Sequence, residues 1–403
     1  MMPGRVSHLS LSVLCFFVVT AVLPTANVNA ESNMRQWETV GPRQNKTDKL
    51  VCYYPLPDSP PNTTIPHDLD PMLCTHVIFI PTSISATCEV SAARSFHLDL
   101  FAKVVPAIRK QNPALTVMLS NGGEFDPVLA SPYNMSRFIN STVPFLRKYD
   151  FDGFDLDWEF PGWNGRPDGQ RHNFSVLTMG LRELFEEEAR RTSKPRLLLT
   201  AAVSTANVML GIYEFHILAK TLDYVNLMGY DFNSFNLLKP FVYFNCPLKP
   251  ESYDKELFVT NNLEWASQEW VRRGIPIEKM WIGMPTYVHT YTLLSEYFTA
   301  PGSPARGKGQ CDFCGYTYAC QMLKENGTRV FDKGARVPYV YRGDQWVSYD
   351  DVESLTEKAQ WVKDHGFGGV MVWNMINDDT EGICDGKTKW PLINAIKKTL
   401  FGV

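Results

Sequence analysis

The chain has 403 residues, a formal net charge of −4 and 44% hydrophobic residues. That length exceeds a small cross-linked scaffold and suffices for one large α/β domain with an insertion. The near-neutral charge gives no electrostatic case for nucleic acid, which requires a basic face.

At the N-terminus, Arg5 and His8 precede the apolar run LSLSVLCFFVVTAVL, and small residues follow at Ala26 and Val28-Asn29-Ala30. This order of basic, apolar and small residues predicts a secretory signal over 1–30, cut after Ala30. The run is shorter than the ~20 residues of a membrane span. No later run is long enough, so no membrane span is expected and the mature protein is expected to be extracellular. Residues 31–47 are polar and are expected to be loosely ordered.

From there, short apolar, β-branched-rich runs recur: LVCYY (50–54), HVIFI (76–80), LTVMLS (115–120), FDGFDLDWE (151–159), LLLTAAVS (197–204), YVNLMGY (224–230), MWIGMPTY (280–287) and GGVMVWNMI (368–376). Segments with apolar residues at three-and-four spacing follow most of them, as in 174–191, 261–274 and 352–366. Strands alternating with helices imply parallel pairing, and eight such units fit a closed (β/α)8 TIM barrel. A doubly wound open sheet is the alternative, but no glycine-rich nucleotide fingerprint follows the first run. The long gap before the last run, rich in Gly, Pro, Tyr and Cys, predicts a small α+β insertion over 288–344. The barrel is then expected over 48–287 and 345–403.

The fourth run carries the chemistry. Side chains alternate faces along a strand, so Phe154, Leu156, Trp158 and Phe160 should face the helices, and Asp155, Asp157 and Glu159 the barrel interior. Barrel sites form at the C-terminal strand ends. Glu159 is therefore expected at the rim, Asp157 beneath it and Asp155 deeper. Burial and like charge raise carboxyl pKa values, so such a column should share a proton and offer a general acid near neutral pH. Protonating a leaving oxygen, as in glycoside cleavage, is its natural task. An EF-hand reading fails because no Gly follows the third acid and bulky apolar residues intervene. A purely structural acid cluster is the remaining alternative.

Beyond the signal, eight cysteines remain, at 52, 74, 88, 246, 311, 314, 320 and 384. An even number in an exported chain favours disulfides over free thiols or metal. Cys311 and Cys314 have zinc-like spacing, but no second closely spaced pair accompanies them, and no metal or other cofactor is expected. N-x-[ST] sequons at Asn45, Asn62, Asn134, Asn140, Asn173 and Asn326 are available for glycans.

Asp152-x-x-Asp155-x-Asp157-x-Glu159 resembles the signature of the family 18 glycoside hydrolases, the chitinases and chitinase-like lectins. The resemblance extends from residue 49 to about 400. It includes Ser120-x-Gly122-Gly123, Met228-Gly229-Tyr230-Asp231, Gly283-Met284-Pro285-Thr286-Tyr287, Val372-Trp373 and the run VPYVYRGDQWVSYDD at 337–351. It implies substrate-assisted, retaining hydrolysis of β-1,4-linked N-acetylglucosamine in chitin or chitooligosaccharides. Glu159 would be the acid and then the base, Asp157 would orient the acetamide, and Asp155 would hold Asp157. Tyr230 would bond the acetamido carbonyl, Asp231 the sugar or Glu159, and Trp373 would floor the sugar. Tyr53, Asp152, Met228, Tyr287 and Glu124 complete the expected substrate-binding set. Cys52–Cys74 and Cys320–Cys384 look like the family's recurrent bridges, which leaves Cys88, Cys246, Cys311 and Cys314 without assigned partners. The chain is expected to act as a monomer.

The sequence also departs from the pattern. Glu124 stands where the family usually has Trp, and Phe160 where it has Tyr after the acid. Phe79-Ile80-Pro81-Thr82, Tyr287-Val288-His289 and Trp373-Asn374-Met375-Ile376 differ as well. These changes remove stacking surface, worth on the order of 1 kcal/mol per ring, and keep the proton donor. A lectin that binds such glycans without turnover is the second reading.

Overall fold

The computed structural model describes residues 47–163, 169–251, 254, 256–311 and 313–402. The expected signal, most of the polar segment after it and the Asn45 sequon lie outside these residues. Eight strands close a parallel barrel: β1 (Lys49–Pro55), β2 (His76–Ile80), β3 (Thr116–Gly122), β4 (Gly153–Asp157), β5 (Leu198–Ser204), β6 (Tyr224–Met228), β7 (Met280–Pro285) and β8 (Gly369–Trp373). Each pairs with its chain neighbours, and β1 closes the ring on β8. All eight expected runs form these strands, displaced at their ends by a few residues.

The strands read as unbroken apolar runs because both faces are covered, as in all-parallel sheets. Helices Gln170–Thr192, Leu263–Arg272 and Val352–His365 stand where three-and-four spacing placed them. The last begins with a capping box, in which Asp351 accepts from Ser354 N and the Ser354 hydroxyl accepts from Asp351 N. It ends at Gly366 in the left-handed region, φ 71°.

Between β7 and β8 a five-stranded antiparallel sheet is built from His289–Leu293, Ala305–Lys308, Thr328–Asp332, Val337–Arg342 and Gln345–Ser348, with helix Tyr316–Lys324 against it. Its last strand ends at Ser348, beyond the expected boundary at 344. The reason is local. Arg342 pairs with Gln345 across a Gly343-Asp344 turn, with Gly343 at φ 55°, so one hairpin spans the expected cut.

Disulfides join Cys52–Cys74, Cys311–Cys314 and Cys320–Cys384. Cys88 and Cys246 are free and buried, against the expectation that an even count favours full pairing. Each thiol faces its own neighbours: Cys88 donates to Pro127 O, and Cys246 lies beside Lys358, with burial pushing its pKa up to about 12. Among the sequons, Asn62, Asn140 and Asn326 are exposed, whereas Asn134 and Asn173 are half-buried. The Asn134 carboxamide already donates to Pro127 O at 2.9 Å. Among the described residues no helix is long and apolar enough to cross a membrane.

Candidate active site

The acid column stands where strand alternation puts it. Phe154, Leu156 and Trp158 are fully buried on the helix side, and Asp155 and Asp157 are buried on the inside. Phe160, expected on the helix side, instead lines the cavity, because the strand and its alternation end at Asp157. β4 ends at Asp157, so Glu159 lies just past the strand, exposed at the cavity rim.

Asp155 is held from four strands. Its Oδ2 accepts from Tyr53 Oη at 2.8 Å and Ser120 Oγ at 2.7 Å, and its Oδ1 from Thr200 Oγ1 at 2.6 Å and Asn226 Nδ2 at 3.0 Å. Ser120, Asp155 and Thr200 are lateral register partners across β3, β4 and β5, so sheet pairing alone aligns them. Four donors satisfy a carboxylate whose burial would otherwise be costly. Burial pushes the Asp155 carboxyl up, and bonds from Thr200, Ser120, Tyr53 and Asn226 pull it back.

Asp157 has no such support. Its Oδ1 is buried without a hydrogen-bond partner. Burial first, then the charges of Glu159 and Asp155, push its carboxyl well above the usual range. Although exposed at the rim, the Glu159 carboxyl is raised by partial loss of water at the cavity wall and then by the Asp231 charge. The pair therefore retains a proton to higher pH than free carboxyls do.

Tyr230 and Asp231 follow directly after β6. Burial and the carboxylates around it keep the Tyr230 phenol protonated, and its hydroxyl faces Met371 Sδ at 3.9 Å. Asp231 sits in the left-handed region, φ 56°, which few non-glycine residues adopt. Its backbone N–H donates to Asn245 Oδ1 at 2.7 Å. Its Oδ1 accepts from Tyr287 Oη at 2.5 Å and contacts His289 Nε2 at 2.6 Å, so that nitrogen carries the hydrogen. Trp373 closes the floor, its ring centroid 5.3 Å from that of Tyr53.

Together these residues surround a cavity of about 600 Å3. Tyr53, Asp157, Glu159, Met228, Tyr230, Asp231 and Trp373 line it, and Asp155 braces it from below. Three expected binding residues are not brought to it. Asp152 binds Arg109 and Val117 N at the opposite end of β4, because its odd spacing from Asp155 and its place before the strand take it off the acid face. Glu124 is exposed and outside the lining. Tyr287 is buried behind the lining, bonding Asp231 and packing against the rings of Tyr230 and Phe313.

Several contributors were not singled out in the sequence. Thr200 and Asn226 sit in apolar runs where a period-two reading points them inward, which could have marked them. Asn245, Lys239 and Phe313 reach the site from loops, and no local pattern announces them. The histidine of Tyr287-Val288-His289 was visible only as a departure from the family's text.

The comparisons agree with this geometry. The family profile described as glycosyl hydrolases family 18 matches residues 49–378. The chain is 35% identical over 370 residues to mouse (Mus musculus) chitotriosidase-1, covering 87% of this chain and 78% of that one. Among solved structures, human YKL-39, described as a pseudo-chitinase with retained chitooligosaccharide binding, superposes with a TM-score of 0.81 at 34% identity, covering 87% of this chain and 99% of the other. An immunomodulatory active chitinase from Trichuris suis superposes with a TM-score of 0.80 at 33% identity, covering 87% and 99%. With the barrel, the acid column and these likenesses in agreement, the chain belongs to glycosyl hydrolase family 18.

Proposed function

We propose that this protein is a secreted chitinase-type hydrolase that cleaves β-1,4-linked N-acetylglucosamine with the substrate's own acetamide as nucleophile. The observation that carries the reading is the column of Asp155, Asp157 and Glu159, whose upper two members share a raised proton affinity and open into the cavity. Glu159 gives its proton to the glycosidic oxygen as the C1–O bond breaks. The acetamido oxygen attacks C1 and forms an oxazolinium ion. The Asp157 carboxylate orients the acetamide and balances that positive charge, while Asp155 keeps Asp157 in place. Water then attacks C1, Glu159 takes the water's proton, and the β configuration is restored. Tyr230 donates to the acetamido carbonyl, and Trp373 supports the sugar ring. The three disulfides support export to an oxidising compartment. The protein acts as a monomer, which sedimentation would check.

The test is turnover of tetra-N-acetylchitotetraose by the parent and by Glu159→Gln. Loss of the general acid is expected to reduce kcat by roughly 10²–10⁴, with oligomer binding retained. A parent as silent as the variant, both still binding the oligomer, would establish the lectin reading instead. That reading draws support from the position of Glu124, exposed and off the cavity wall where the family has a stacking Trp.

A further inference from the structure

The cavity contains a charge that a neutral aminosugar polymer does not need. Four charged side chains line it: Asp157, Glu159, Asp231 and Lys239. The three acids belong to the machinery above; Lys239 does not. It sits on the loop between β6 and helix Leu263–Arg272, where a tight turn fixes its backbone. Lys239 N donates to Asn236 O at 2.9 Å, Leu238 N to Asn236 Oδ1 at 2.8 Å, and Phe241 N to Lys239 O at 2.9 Å. Its ammonium lies 5.5 Å from the centroid of the Phe258 ring, a cation–π contact that holds the group without neutralising it. Among the described residues Lys239 has no ion-pair partner. The Asn207 carboxamide, another lining group, also makes no hydrogen bond among them.

The chemistry leaves room for a charged ligand. Acetamide participation constrains only the sugar whose C1 is attacked. The neighbouring sugars have no chemical part to play and can carry a carboxylate or a sulfate ester. The acids add less repulsion than their number suggests, because Asp157 and Glu159 retain a proton between them.

We propose that the cavity takes an anionic N-acetylhexosamine glycan and that Lys239 is the residue that selects it. The proposal rests on the glycan-binding side of the function above and does not require turnover. Lys239 is an exposed member of the lining, so its ammonium and a carboxylate or sulfate form a partly solvated charge-assisted hydrogen bond, enough at low salt for a preference of up to about ten-fold.

The experiment is calorimetric titration in a Glu159→Gln background, so that no ligand is consumed. Three tetrasaccharides are compared: neutral chitotetraose, 6-O-sulfated chitotetraose, and alternating N-acetylglucosamine and glucuronic acid. The sulfated and uronate arms identify which anion is preferred. At low salt at least one charged ligand is expected to bind about ten-fold tighter than the neutral one. That advantage should shrink as salt rises, disappear in Lys239→Gln and persist in Lys239→Arg. Equal or weaker binding of both charged ligands, or a preference untouched by Lys239→Gln, overturns the proposal. Parallel assays with Glu159 intact read turnover. Loss of hydrolysis there with the charged preference intact would overturn the catalytic reading and uphold this one.

Discussion

Asp155 and Asp157 are two residues apart on one strand and have opposite chemistry, because one meets four donors and the other leaves a buried oxygen unpaired. For a carboxyl raised in the folded state, the native protein holds more protons than the unfolded chain once pH exceeds the unfolded pKa of about 4. Stability is therefore full below that pH and falls as pH rises through the folded value. Asp157→Asn removes the buried charge and its repulsion with Glu159. It is expected to abolish turnover while raising unfolding free energy at pH 7 by on the order of 1 kcal/mol, and calorimetric melts from pH 4 to 8 would show a flatter profile. The second consequence concerns Glu159, whose affinity for its proton is raised by partial loss of water and then by Asp231. A general acid must be protonated to act, so a raised pKa extends activity toward alkaline pH. Asp231→Asn removes the negative charge, and the alkaline limb of kcat/KM is expected to move to lower pH.

At the level of elements, β6 and β7 must approach closely for Tyr230 and Asp231 to face the cavity. A Cβ on Gly283 would meet Leu227 O at 2.3 Å and Gly229 N at 2.9 Å, and one on Gly229 would meet Gly283 O at 2.4 Å. Side chains of Leu263 and Met371 crowd the same space, but these backbone atoms are the obstacles that cannot swing aside. Gly283→Ala is expected to cost about 3 kcal/mol and to lower activity with it, as a chemical-denaturation midpoint would report. This glycine pair was legible in the sequence as two short motifs, but its reason was not, since it depends on which strands become neighbours. The same distinction runs through the fold. The barrel strands and the acid face follow from local periodicity, which needs only a few consecutive residues. Asp152 was misplaced because it shares the motif without sharing the face. Asn226, bonding Asp155, was legible as an inward strand position, though its partner was not, whereas Asn245, bonding Asp231, is brought to the site by tertiary closure alone.

The barrel and the inserted sheet are tied together over long stretches of chain. Cys320, in the inserted helix, bonds Cys384 in the segment after β8, closing a loop with a sequence separation of 64. That segment is also fixed by Asp379, which accepts from Ile383 N at 2.8 Å and Cys384 N at 2.6 Å, and by Asp378, which accepts from Ile393 N at 2.9 Å. Tyr316 N donates to Asn377 O at 2.8 Å, so the helix start and the loop after Trp373 are joined by backbone as well. A cross-link stabilises chiefly by restricting the unfolded chain, and more for longer loops. The entropic estimate for this one is about 4 kcal/mol. Cys311–Cys314, with a separation of 3, should contribute much less. Cys320→Ser with Cys384→Ser is therefore expected to shift the denaturation midpoint strongly, and Cys311→Ser with Cys314→Ser only slightly. Because the longer bridge anchors the segment that follows Trp373, its loss should also weaken oligosaccharide binding before the barrel unfolds. Titration of the Cys320→Ser/Cys384→Ser protein below its unfolding transition separates this effect from global instability: unchanged affinity there would mean that the backbone bonds alone hold the cavity floor.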